Sequence, residues 1–146
     1  MIAIGLLILM KVASDIAGRS DTLRGRAEVL DGDTISVEGV HVRLQGVAAP
    51  EIAHEGLSIK AEAGGEDAAA FLRRLVEGQT VVCDLTGERT DGRQVGVCRL
   101  DGRDVAAEVI AAGLARDCPR FSGGRYAGIE PPAAKRLPLP AYCEPR

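Results

Sequence analysis

The sequence predicts a mainly β fold with helices (α+β): a five-stranded barrel with one helix between its third and fourth strands and a second helix after the fifth. Three observations predict it. Short runs alternate apolar and polar residues at the period-two spacing of half-buried strands. Gly-bearing pairs such as Glu38-Gly39 and Asp101-Gly102 punctuate those runs at hairpin intervals. Two stretches carry their apolar residues at three- and four-residue spacing instead, the pattern of an amphipathic helix. The 146 residues suit a single hydrophobic core and leave no room for a second full domain.

In chain order, residues 26–30 and 34–38 flank Asp31-Gly32-Asp33, and Glu38-Gly39 turns the chain into a third strand over 40–47. In Val40-His41-Val42-Arg43-Leu44 the apolar residues share one face and His41 and Arg43 the other, so Arg43 points away from the core. Pro50 ends that strand, and residues 51–65, polar and Gly-bearing, predict an irregular, mobile loop. Residues 66–76 read as a helix, with Ala69, Leu72 and Val76 on one face, Phe71 and Leu75 beside them, and Gly78 just past its end as a C-cap. Residues 80–85 and 94–100 form two more strands joined by a polar loop over 86–93. Asp104 can cap a second helix through Ala112, with Val105, Val109 and Ile110 inward and Gly113 stopping it. Five strands with a helix in that place describe an OB-type barrel over residues 25–118. Beyond it, residues 119–146 are Pro- and Gly-rich, and Pro131, Pro132, Pro138, Pro140 and Pro145 predict an extended tail without regular structure.

Composition narrows the function. Net charge is −3, and residues 116–146 carry six basic against three acidic side chains, so the barrel is more acidic than the total implies. That balance excludes broad, sequence-independent binding to nucleic acid through a basic face and leaves only local contact. The basic residues of the tail, Arg120, Arg125, Lys135 and Arg136, read as keeping a Pro-rich segment soluble. Aromatics make up 3% of the chain, so the core is aliphatic and few rings remain for stacking.

Residues 1–10 are all apolar or Gly before Lys11, too few to span a bilayer. They predict a signal or anchor segment over 1–22, with membrane attachment through 1–13, although no basic residue precedes them and no convincing small-x-small cleavage site follows. The alternative is a packed or frayed N-terminal helix. Four cysteines, Cys83, Cys98, Cys118 and Cys143, suit two disulfides in an exported or membrane-anchored chain, periplasmic or extracellular if bacterial. The alternative is four buried thiols in the cytosol. No CxxC pair occurs, and neither His41 nor His54 stands at zinc-ligand spacing from a cysteine. Of three possible pairings the strand assignment favours Cys83 with Cys98, which leaves Cys118 for Cys143. Each closure would then contribute ~3 kcal/mol on the chain-entropy model.

Three segments stand out as chemistry: Val29-Leu30-Asp31-Gly32-Asp33-Thr34, then Val42-Arg43-Leu44-Gln45-Gly46-Val47-Ala48-Ala49-Pro50-Glu51, then Asp91-Gly92-Arg93. In this order and at these intervals they resemble the thermonuclease, or staphylococcal nuclease-like, family, and the element order agrees over 25–118. The resemblance implies metal-assisted hydrolysis of phosphodiester bonds in single-stranded DNA or RNA. It makes Asp33 the ligand of a divalent cation, calcium, for which hard oxygen donors are needed. Arg43 would grip the phosphate through two oxygens, and Arg93 would stabilise charge developing in the transition state. Glu51 would activate or position the attacking water.

Each residue has a plain structural reading beside that one. Asp33 can be a turn-capping aspartate, Arg43 a solvated strand residue, Arg93 a hairpin charge and Glu51 an ordinary loop carboxylate. The sequence also departs from the family: Ala48 stands where a second metal-binding Asp belongs, so cation binding should be weak unless Asp31, Glu55 or Glu66 substitutes, or the Ala49 carbonyl contributes. Asp91 replaces an aromatic used for base stacking. His41 and His54 have no nucleophile at motif spacing and read as solvated. Ala48 motivates a competing expectation, a catalytically silent exported module that binds a phosphorylated ligand or a protein partner. A third, an accessory of surface polysaccharide assembly, follows from export alone.

Overall fold

The computed structural model describes residues 21–54 and 60–146. The predicted signal or anchor segment therefore lies almost wholly outside the described residues, as do residues 55–59 of the predicted loop. Among the described residues no helix is long and apolar enough to cross a membrane.

Strand β1 (Thr22–Asp31) starts earlier than its alternation suggested, because its first half pairs with a later strand. Strands β2 (Thr34–Val37) and β3 (Val40–Leu44) complete the meander. Helix α1 (Gly65–Val76) buries Ala68, Ala69, Leu72 and Val76, with Glu66 and Asp67 in its first turn and Arg73 and Arg74 in its last, the order the helix dipole favours. Strands β5 (Thr80–Thr90) and β6 (Arg93–Leu100) follow. A two-residue strand β7 (Arg103–Asp104) leads into helix α2 (Val105–Ala111), which Asp104 caps by accepting the Ala107 amide at 3.3 Å.

The strand order is β3-β2-β1-β5-β6-β7, and a parallel pairing of β3 with β6 closes the barrel. Ile35, Val37, Val42, Val81, Leu72 and Ile110, from strands and both helices, are fully enclosed. Each such side chain contributes ~1.5–3 kcal/mol of burial. Cys83 and Cys98 face each other across β5 and β6 and are bonded. A second disulfide joins Cys118 to Cys143. Two disulfides indicate folding in an oxidising environment.

Three expectations need correction. The third strand ends at Leu44, because Gly46 turns at φ 75°, a left-handed value that suits glycine. The chain then re-enters as β4 (Val47–Ala48), paired with β8 (Arg116–Asp117) in a small second sheet. The polar loop over 86–93 is mostly strand: β5 runs to Thr90, and Asp91-Gly92, both at positive φ, make the two-residue turn that strand twist favours.

The tail is not extended. It folds as α3 (Pro119–Ser122), α4 (Pro132–Lys135) and short 3-10 turns at Ala127–Ile129 and Ala141–Cys143. Proline fixes φ near helical values and lacks only an amide that a first turn leaves unused, so Pro119 and Pro132 start helices here.

The tail returns to the barrel through a few polar ties. Arg116 Nε donates to Glu130 Oε2 at 2.9 Å and its Nη1 to the Leu137 carbonyl at 3.1 Å. Tyr126 Oη donates to Asp104 Oδ2 at 2.6 Å.

Candidate active site

The first motif is held by close packing. A Cβ on Gly32 would stand 2.7 Å from the Ala68 Cβ of α1 and 2.8 Å from that of Ala49, so only glycine lets this turn sit against both. Asp33, the next residue, is consequently 5% exposed. Its Oδ1 accepts from Thr34 Oγ1 at 3.2 Å and its Oδ2 from the Ala49 amide at 2.9 Å. A buried carboxylate needs a cation as well as donors. Arg43 supplies it, with Nη2 at 3.3 Å from the same Oδ2.

Arg43 lies across from Thr34 in the β2–β3 register. It faces away from the Val42 and Leu44 core, as period two requires, yet its side chain is only 13% exposed. Its Nη1 donates to the carbonyls of Leu44 at 3.1 Å and Val47 at 2.8 Å. Burial, the largest single influence, would lower the guanidinium pKa; Asp33, Tyr142 and Glu51 together outweigh it and hold it above its ordinary value.

Arg93 reaches the same network from the β5–β6 hairpin: its Nη1 donates to Thr34 Oγ1 at 3.2 Å, and Thr34 donates on to Asp33. Its other ties are loose, to the Thr90 carbonyl at 3.4 Å and to Asp91 at 3.5 Å. The two arginines are thus linked through Thr34 and Asp33.

Arg43, Glu51 and Arg93 line one cavity of about 460 Å³, with Arg89, Phe121 and Tyr142 among its other walls. Asp33 lies behind Arg43, outside the lining. The four residues picked from the sequence therefore fall on one side of the barrel. Burial raises the Glu51 carboxyl, and repulsion from Asp33 and then Asp31 adds to the rise against the opposing pull of Arg43.

Asp31 and His54 were not given roles by motif spacing, and the structure pairs them: His54 Nε2 is 3.0 Å from Asp31 Oδ2, so His54 is partly enclosed, not a freely solvated loop residue. His41 is exposed, as read. Burial raises Asp31 against the pull of His54, and Asp33 adds to the rise. Its other oxygen, Oδ1, is buried and has no hydrogen-bond partner among the described residues.

That orphan oxygen tests the implied cation. Asp31, Asp33 and Glu51 repel one another around an unsatisfied oxygen, the condition a hard cation relieves. Ala48 contributes nothing, since its methyl is packed with Cys118 and Cys143. Among the described residues, no three His, Cys, Asp or Glu side chains converge to hold one ion. The donors fit a cation bound by nearby charge and two carboxylates at most, with water completing its shell.

Comparison with known proteins bears on the family of the chain. A family model described as staphylococcal nuclease homologue matches residues 41–127. The succinoglycan biosynthesis protein ExoI of Rhizobium meliloti (strain 1021) is 33% identical over 131 residues, which is 87% of this chain and 69% of that protein. The probable endonuclease LCL3 of Schizophyllum commune (strain H4-8 / FGSC 9210) is 39% identical over 82 residues, 56% of this chain and 27% of that protein.

Proposed function

The chain belongs to the family of staphylococcal nuclease homologues, and from that premise we propose that it hydrolyses phosphodiester bonds of single-stranded DNA or RNA at the cavity between β3 and the β5–β6 hairpin. The observation that supports the reading is one cavity of about 460 Å³ lined by Arg43, Arg93 and Glu51, its two arginines linked behind the wall through Thr34 and Asp33.

Arg43, immobilised by two carbonyls and Asp33, offers its remaining surface to the phosphate without losing further side-chain freedom. Arg93 is tied loosely enough to exchange its Thr90 and Asp91 contacts for a phosphate oxygen. It would meet the negative charge that grows as the water oxygen bonds to phosphorus and the ester oxygen departs. Glu51 would take the proton of that water, and its raised pKa brings it nearer to the operating pH of a general base. A cation held at Asp33 and Asp31 would neutralise phosphate charge and acidify the water. With one family ligand replaced by Ala48, binding at that site should be weak and the hydrolysis slow.

The test is cleavage of labelled single-stranded DNA and RNA with calcium, magnesium or manganese, comparing the wild type with Glu51→Gln and Arg93→Ala. Each variant should lose about a hundredfold, the scale of removing one general base or one charge-stabilising donor. Equal residual cleavage by all three proteins would end the proposal. Calorimetry with calcium on the wild type and Asp33→Asn tests the cation separately, by heat of binding.

The packing of Ala48 against the Cys118–Cys143 disulfide favours a second reading, a catalytically silent exported module that binds a phosphorylated ligand or a protein partner. It predicts no cleavage, no calcium heat, and ligand binding that survives Asp33→Asn. Export and attachment through residues 1–13 belong to the same proposal, supported by the two disulfides.

A further inference from the structure

The chain has two phenylalanines, two tyrosines and no tryptophan. Phe71 packs on the core and Tyr126 is buried in it. The other two, Phe121 at 45% and Tyr142 at 47% exposure, are the largest rings in water among the described residues, and both line the cavity that holds Arg43, Arg93 and Glu51. Exposing a ring costs burial that a folded chain ordinarily takes, so two rings converging on one charged cavity call for an occupant.

Neither ring is placed by the barrel. Phe121 sits on α3, with the Arg120 guanidinium carbon 5.5 Å from its centroid. Tyr142 sits in the last 3-10 turn, beyond the residues the family model matches, and is brought home by its neighbour Cys143, which bonds to Cys118 at the cavity wall. The Arg116 contact with the Leu137 carbonyl fixes the approach of this strap. Its end sets Tyr142 in the wall of the same cavity as Arg43.

We propose that the disulfide-tied C-terminal strap supplies a nucleobase platform: the ring of Tyr142, walled by Phe121, stacks on the base of an unpaired nucleotide whose phosphate lies at Arg43 and Arg93. The inference rests on the phosphodiester reading and adds its selectivity. A ring face binds a base face only where no partner strand covers it, so the platform selects single strands and tolerates every base. A site of this volume is within the range of small-ligand pockets, and the aromatic that Asp91 lacks at the hairpin is replaced from the other end of the chain.

The test uses the full chain with both disulfides intact and reads fluorescence anisotropy of two labelled single-stranded oligomers of equal length, one carrying bases and one abasic. The wild type should bind the base-carrying oligomer at least tenfold more tightly. Tyr142→Ala should remove about tenfold from that oligomer, the low end of what one lost stack costs, and leave the abasic one unchanged. Tyr142→Phe should keep the difference, and Cys143→Ser, which releases the strap without touching a ring, should abolish it.

Equal weakening of both oligomers by Tyr142→Ala, or a Tyr142→Phe variant as weak as Tyr142→Ala, would overturn the platform, since either result assigns the residue to Arg43 through its hydroxyl. Equal binding of the two oligomers by the wild type would overturn it while leaving phosphate binding in place. Arg93→Ala marks the other failure: if it weakens neither oligomer, the phosphate reading falls and a base difference that persists belongs to the strap alone.

Discussion

The barrel and the C-terminal tail reach their shapes by different means. The barrel is specified by side chains that alternate along five strands, and its aliphatic core would accept many equivalent sequences. The tail has little core of its own: it buries Tyr126 in the barrel's core, encloses Ala134 and Cys143, and is held by one disulfide and a few polar contacts. Those ties land at the cavity and at a helix start: Cys118 and Tyr142 border the cavity with Arg43, and Asp104 caps α2. Distributed packing gives cooperative stability, whereas a short list of ties gives a segment whose loss is local and whose position can be tuned one contact at a time.

The largest expected effect probes whether the site is as much a part of the barrel as its core. Arg43→Ala leaves Asp33 buried with two hydrogen-bond donors and no cation. Breaking such a pair from one side should cost about 4 kcal/mol. Denaturant titration should show that loss, and the double variant Arg43→Ala, Asp33→Ala should recover a large part of it, since contacting residues are not additive. A cost below about 1 kcal/mol would mean that the pair is not a structural element and the contrast is drawn in the wrong place.

Next in size is Leu72→Ala, a pure packing change at the enclosed face of α1. It should cost about 3 kcal/mol and about 10 °C of thermal midpoint, with the abasic and base-carrying oligomers still distinguished at temperatures where the variant is folded. Selective loss of that distinction would show that barrel and tail are not separable.

The same division decides what could be read from the residues. The five strands, both barrel helices, the α2 cap and the family emerge from alternation, helical spacing and three short motifs, because those signals are local. The cavity-facing side of Arg43 was legible from period two; its burial was not, because the cover comes from Tyr142 and the Val47 carbonyl, 99 and 4 residues away in the chain. The turn at Gly46 and the β4–β8 pair escaped for the same reason: Val47 and Ala48 look like a continuing strand until their partner, Arg116–Asp117, is known. The prolines of the tail were read as breakers, and the two that start helices could not be told from those that do not. Asp31 was visible as a candidate oxygen, but its His54 partner and its unsatisfied Oδ1 depend on loop geometry that spacing does not carry.

The smallest effect isolates a single tie. Tyr126 is buried, and burial first, then its bond to Asp104, pushes its pKa from 10.0 to about 12. A hydroxyl that titrates later in the folded chain than in the unfolded one stabilises the fold fully below pH 10 and ceases to do so as pH climbs to about 12. Tyr126→Phe keeps the ring and removes the bond, so it should cost about 1–2 kcal/mol at neutral pH, and its stability should fall less steeply than the wild type's across that alkaline window. The Asp104 cap on Ala107 is made by the other carboxylate oxygen and should persist, leaving helix content unchanged by circular dichroism. Parallel pH curves for the two proteins would mean that the phenol contributes nothing through its proton, and the tail would then hold by its disulfide and the Arg116 contacts alone.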